Sequence, residues 1–206
     1  MATTVDTVPA TNFAFADANP ADTITVADGP PENGFQTTEF SYAAGATAVI
    51  FANKTNFTLD GGGQGDKVFL DNPDPAAGLT SLTIQNLGTG STITGVNANA
   101  GSPDVAVATL VMSAAAGIGT AARPLRTQTG TLNALTSTGG IFINNNAAAS
   151  LCLASAFLCQ FVICELSHTW VTGSHPISGC NPNGGSVVFL GESSGCPQVR
   201  STSRSD

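Results

Sequence analysis

The chain has 206 residues, with 6 Lys plus Arg against 14 Asp plus Glu and a formal net charge of −8. Charged residues make up 10% of it, against roughly 25% in an average soluble domain. Six scattered cations cannot neutralise a phosphate backbone, which argues against a nucleic-acid binder. A Thr-, Gly- and Ala-rich, charge-poor chain lacks the Glu, Lys and Leu of a helical bundle, and 42% hydrophobic residues argue against highly charged disorder.

In chain order, residues 1–20 are expected to form an irregular N-terminal segment. The start, Met1-Ala2-Thr3-Thr4-Val5-Asp6, shows neither the positive region nor the apolar region of an export signal. From Thr23 onward, short β-prone bursts alternate with turn residues. The bursts are Thr23-Ile24-Thr25-Val26, Ala48-Val49-Ile50-Phe51, Asn56-Phe57-Thr58-Leu59, Lys67-Val68-Phe69-Leu70, Ser81-Leu82-Thr83-Ile84 and Ser91-Thr92-Ile93-Thr94. Later ones are 105–111, Gly130-Thr131-Leu132-Asn133-Ala134-Leu135 and Gly140-Ile141-Phe142-Ile143-Asn144. Alternation of apolar residues with Thr or Ser gives one inward and one outward face. It places Ile24, Val49, Phe57, Leu59, Val68, Leu70, Leu82, Ile84, Ile93, Leu132, Ile141 and Ile143 in the core.

The separators Asp28-Gly29-Pro30-Pro31, Asp60-Gly61-Gly62-Gly63, Asn72-Pro73-Asp74-Pro75 and Gly88-Thr89-Gly90 are turn chemistry. They leave little room for helical crossovers, which disfavours an α/β sheet. The Ala-rich stretch 107–116 reads as a strand running into a small-residue turn. The predicted class is therefore all-β. Strand bursts every 10 to 20 residues, with no tight Asn-Gly or Asp-Gly hairpin between long strands, favour stacked coils of a β-solenoid over residues 21–149; an antiparallel β-sandwich is the alternative.

Composition changes at Ser150. Up to it there are 23 Thr and 7 Ser; beyond it there are 3 Thr and 10 Ser, with Cys152, Cys159, Cys164, Cys180, Cys196, both His and the single Trp. Residues 150–206 read as a Cys/Ser-rich tail, either a cap or a non-native end. The apolar run 151–164 is too short for a bilayer span, which needs about 20 residues.

Two stretches carry a resemblance. One runs from Gly117-Ile118-Gly119-Thr120 through Pro124-Leu125, then Thr129-Gly130-Thr131-Leu132-Asn133-Ala134 and Gly139-Gly140-Ile141-Phe142-Ile143-Asn144. The other runs from Phe57-Thr58-Leu59-Asp60-Gly61-Gly62-Gly63 to Leu79-Thr80-Ser81-Leu82-Thr83-Ile84. Both resemble repeat units of large bacterial filamentous-haemagglutinin-like, β-strand-repeat surface exoproteins. The resemblance, confined to about 57–146, implies a right-handed parallel β-helix, an extracellular or cell-surface location, and adhesion or a stalk role. It implies no catalytic residue to carry over; flat faces displaying Thr and Asn would hydrogen-bond to glycans or to host or neighbouring cell-surface proteins as partners, and no cofactor or metal ligand is expected.

Other patterns carry less. Gly61-Gly62-Gly63-Gln64-Gly65-Asp66-Lys67-Val68 is similar to a calcium-binding nonapeptide, but Lys67 falls at the ligand position, so a Gly-rich turn is expected. Asp60, Asp66, Asp71 and Asp74 remain candidates for loose divalent-ion binding at the surface. Gly191-Glu192-Ser193-Ser194-Gly195 matches a hydrolase nucleophile motif, yet His168 and His175 lie upstream, in the wrong order, so chance is the expected origin. For the cysteines the ranking is buried or unpaired thiols, then a disulfide such as Cys180 with Cys196, then zinc through Cys159, Cys164, His168 and His175 or Cys180. Asn53-Lys54-Thr55 and Asn56-Phe57-Thr58 match the glycosylation acceptor pattern, as chance allows in an Asn/Thr-rich chain. The leading expectation is a non-enzymatic adhesin or stalk. A β-helix polysaccharide lyase or hydrolase, with the carboxylates Asp60 and Asp66 and the cation Lys67 as its plausible cluster, is the alternative, and a non-functional fragment the third.

Overall fold

The computed structural model describes residues 2–17, 21–42, 47–63, 65–99, 101–147, 149–155, 163–166, 171–173, 186–190 and 199–201. Every regular element among them is a strand, so the described part of the chain is all-β. The strands are β1 (Ala2–Asp6), β2 (Ala10–Ala16), β3 (Thr23–Glu32), β4 (Phe35–Tyr42), β5 (Thr47–Phe51), β6 (Lys54–Asp60) and β7 (Lys67–Asp71). Next come β8 (Ser81–Asn86), β9 (Thr92–Gly95), β10 (Val105–Ala106), β11 (Thr109–Ala114), β12 (Gly117–Ile118), β13 (Leu125–Gln128), β14 (Thr131–Thr136) and β15 (Ile141–Asn145). Beyond the compositional break lie β16 (Ser150–Ser155), β17 (Ile163–Leu166), β18 (Val171–Gly173), β19 (Ser186–Leu190) and β20 (Val199–Ser201).

Period-two patterning sends apolar side chains to one face, and parallel pairing stacks those faces in register. One sheet runs β17-β16-β14-β11-β8-β6-β2, with every pair from β2 to β16 parallel. Phe13, Phe57, Leu82, Leu110 and Leu132 stand on successive strands as one ladder; Phe15, Leu59, Ile84, Met112 and Ala134 form the next. The other sheet runs β1-β5-β4-β3-β7-β9-β12-β15-β13-β10, with β19 also paired to β15. Its central ladder is Ile24, Val68, Ile93, Ile118 and Ile141, all fully buried. The two faces share a single core cluster.

Eleven of the twelve expected core residues are buried. Val49 differs: it packs against the core from a half-buried position, while its neighbours Ala48 and Ile50, which alternation would turn outward, are buried. The cause is local topology, because β5 lies between β4 (antiparallel) and β1 (parallel) rather than in the parallel stack.

Two further expectations change. Residues 1–20 carry β1 and β2, which join the two sheets, instead of an irregular segment. The chain also contains a tight Asn-Gly hairpin. Asn33 (φ 51°) and Gly34 (φ 82°) both adopt the left-handed conformation that a two-residue hairpin turn demands, and Glu32 pairs with Phe35. Strand β3 passes through Asp28-Gly29-Pro30-Pro31 without ending. It pairs with β7 only over Thr23–Ala27, and its register with β4 shifts between Gly29 and Glu32, so the two prolines sit where no regular ladder bond is required. The sheets are thus parallel in the repeating part and antiparallel at β3-β4-β5.

Pairing continues past Ser150. Strand β16 stacks parallel on β14, from Thr131 opposite Ser150 to Thr136 opposite Ser155, and β17 then pairs antiparallel with β16.

Near the N-terminus, rings of Phe13, Phe15, Phe40, Phe51 and Phe57 interlock with centroids 4.7–6.3 Å apart. Beside them Lys54 is buried. Its ammonium lies 2.9 Å from Asp6 Oδ1 and 5.6 Å from the Phe13 ring centroid, and donates to the Val8 carbonyl. The Lys54 hydrogen bond holds the Asp6 carboxyl below the usual carboxylate range. A lowered folded value means this pair stabilises the fold at pH above about 4 and stops doing so as pH falls through the folded value. Asp6→Asn is therefore expected to lower the melting temperature more at neutral pH than at acid pH, where the folded Asp6 carboxylate becomes protonated. Equal losses at both pH values in a melting series would contradict the pairing.

Candidate functional site

Strand β7 runs unbroken, but its two successors in the stack do not. Strand β9 ends at Gly95, opposite Leu70, and pairing resumes at β10, with Val105 opposite Asn72; residues 96–104 leave the sheet between them. Likewise β12 pairs with β15 at Ile118 and β13 resumes at Leu125, so 119–124 leaves at the adjacent level. Two excursions are thus stacked one upon the other, rich in Asn, Gly, Ser and Pro.

A fully buried carboxylate ties them together. Asp104 accepts from the Arg126 backbone N–H at 2.8 Å, from Arg126 Nη2 at 2.9 Å and from the Asn97 N–H at 3.0 Å. Arg126 also donates to the carbonyls of Asn99 and Asn97, both at 2.6 Å. Arg123 donates to the Gly95 carbonyl at 2.6 Å and to the Asn97 carbonyl at 2.9 Å, with Nη2 3.6 Å from Asp104 Oδ1. Any side chain at Gly95 would collide with the Asp104 carboxyl group, which explains glycine there.

The fastened loops wall a groove of about 410 Å³ lined by Phe69, Thr94, Gly95, Val96, Thr120 and Arg123. On β7, inward Val68 and Leu70 bracket Phe69, so its ring stands on the outer face. Thr94 pairs with Phe69 in register, and its hydroxyl is screened from water without a hydrogen-bond partner. The Arg123 side chain is half exposed at 50%, so its guanidinium both fastens the loop and faces the groove. The lining thus combines an apolar ring, hydroxyls and one cation, and includes no carboxylate.

The sequence singled out none of these residues for function. Two of the chain's six cations lie within Arg123-Pro124-Leu125-Arg126, and that clustering was the available signal. The residues it did single out separate. Lys67 is exposed, whereas Asp66 is fully buried and is not a surface ligand. Asp71 and Asp74 gather with Asp28 instead: the Asp74 N–H donates to Asp28 Oδ1 at 2.9 Å, and burial, then the Asp74 and Asp71 charges, push the Asp28 carboxyl up. Asp60 caps its own glycine turn by accepting from the Gly62 N–H. The described residues contain no group of three or more His, Cys, Asp or Glu side chains arranged to hold a metal. Ser193, His168, His175, Cys159, Cys180 and Cys196 lie outside the described residues. Backbone register sets Cys152 opposite Cys164.

No family model matches the chain, and no curated protein or solved structure matches it either. Among the described residues no helix is long and apolar enough to cross a membrane.

Proposed function

We propose that this chain is part of an extracellular bacterial surface protein of the filamentous-haemagglutinin-like kind, a right-handed parallel β-solenoid that serves as an adhesin or stalk and binds an acidic oligosaccharide in the Arg123 groove. In-register parallel stacking of β6, β8, β11 and β14, with strands alternating between two sheets, supports the solenoid, and crossovers between parallel strands are overwhelmingly right-handed. The single observation that carries the binding role is the outward Phe69 ring beside Thr94 and Thr120 under a half-exposed Arg123. A ring offers its face to sugar C–H groups, the exposed Thr120 hydroxyl exchanges hydrogen bonds, and guanidinium selects a carboxylate or sulfate. With a net charge of −8, such selectivity has to come from a local cation rather than the whole-molecule field. The polysaccharide-cleaving alternative needs a carboxyl pair about 5–9 Å apart at the sugar, and this groove's lining offers none.

The test is titration calorimetry with a uronic-acid oligosaccharide and its carboxyl-reduced, neutral counterpart. Binding of the acidic form is expected, weakened about tenfold or more by Phe69→Ala or Arg123→Gln, consistent with about 1.4 kcal/mol for each lost contact. Equal affinity for both sugars, or indifference to both variants, would rule out the groove.

A further inference from the structure

Among the described residues, a second place in the stack holds buried oxygens that no donor satisfies. One step beyond the Phe15–Ala134 ladder, the ladder continues as Asp17, Gly61, Asn86, Ala114 and Thr136. Asp66 and Asn86 are fully buried, and Asp66 Oδ2 and Asn86 Oδ1 have no hydrogen-bond partner. Both oxygens converge on the side of Gly61 that lacks a side chain: a Cβ there would stand 2.6 Å from Asp66 Oδ2 and 2.8 Å from Asn86 Oδ1. Neither group can turn away. Asp66 Oδ1 accepts from the Asp22 N–H at 2.7 Å, and Asn86 Nδ2 donates to the carbonyls of Asp66 at 2.8 Å and Thr92 at 3.3 Å. The amide oxygen is therefore fixed toward the carboxylate, acceptor facing acceptor.

The surrounding charge has one sign. Asp22 adjoins Asp66 through its backbone N–H, and burial with the charges of Asp17, Asp22 and Asp66 pushes the nearby Tyr42 hydroxyl up. Tyr42 Oη is itself buried without a partner. Lys67, next in sequence, faces solvent. Two pinned, buried acceptors converging beside Gly61, with Asp17 and Asp22 as the neighbouring charges, call for a cation.

We propose that Asp66 Oδ2 and Asn86 Oδ1 are protein ligands of a calcium ion seated beside Gly61, within the field of Asp17 and Asp22. Oxygen-only donors suit calcium, and main-chain carbonyls and water complete its six to eight positions. The ion would join the end of β8, through Asn86, to the start of β7, through Asp66, and so fasten one level of the stack to the next.

Calcium chloride titrated into the chelator-stripped full chain is expected to bind at one site per chain, with Kd about 0.1–1 mM, the range of extracellular calcium modules. Asp66→Asn is the decisive variant. Its new amide can donate to Asn86 Oδ1, so in chelator it is expected to melt at or above the parent temperature while losing calcium affinity at least tenfold. Asn86→Ala is expected to lose affinity too, and Asp71→Asn, on another face, to keep it. In a Trp170→Phe background, terbium in place of calcium is expected to show emission sensitised by Tyr42, the chain's one tyrosine, and to lose it in Tyr42→Phe. Absence of calcium binding, undiminished binding by Asp66→Asn, or terbium emission unchanged by Tyr42→Phe would each overturn the site. Since Asp66 and Asn86 are not among the groove-lining residues, saccharide binding can fail or succeed independently of this result.

Discussion

Replacing Ile93 by Asp is expected to abolish cooperative folding of the stacked sheets. Ile93 is fully buried, with Val68 beside it on β7 and Ile118 on β12. Aspartate there would bury a charge in a ladder of Ile and Val with no cation in it. That costs several kcal/mol, about as much as the 5–15 kcal/mol that holds an ordinary domain together. Leu135→Asp, at an exposed outward position of β14, is the matched control and should retain the strand signal in far-ultraviolet circular dichroism. If both variants melt together near the parent temperature, the inward assignment of this ladder is wrong.

Removing the Asp104 carboxylate is the second large effect. Asp104→Ala leaves Arg126 and the Asn97 N–H without their acceptor inside the loop bundle. The expected loss is about 2–3 kcal/mol, somewhat below that for a fully buried ion pair because Arg126 retains contact with solvent. Loops 96–104 and 119–124 should then separate, so saccharide binding at the groove should fall with stability. A denaturation midpoint equal to the parent's would show that the ion pairs do not fasten the loops.

The sequence made the core legible because alternation is a local property. Val68, Leu70, Leu82 and Ile84 are inward for the reason that Thr83 and Phe69 are outward, and neither needs knowledge of a neighbour. Separators such as Asn72-Pro73-Asp74-Pro75 were equally legible, since proline cannot donate to a ladder. Pro30-Pro31 misled for the same reason: whether a proline ends a strand depends on whether its position is paired, and pairing is set by β7, some forty residues away. Its apparent stop also hid Asn33-Gly34, the one turn signal that would have revealed the antiparallel insertion.

The sites were much less legible. Asp104 meets Arg126 across 22 residues, and Asp66 accepts from Asp22 across 44, both through stacking register that no local motif encodes. Asp66 in particular sits beside Gly65 and Lys67, which reads as an exposed turn, yet the stack closes over it. Phe69 was read as one more apolar residue in a burst, although its alternation with Val68 and Leu70 already turned it outward.

The most direct measurement is a chemical-shift map of the isotope-labelled chain titrated with the uronic-acid oligosaccharide. Saturable shifts are expected to concentrate at Phe69, Thr94, Gly95, Val96, Thr120 and Arg123 and to be absent with the carboxyl-reduced sugar. Saturable shifts elsewhere on the chain, or none at saturating sugar, would contradict binding in the groove.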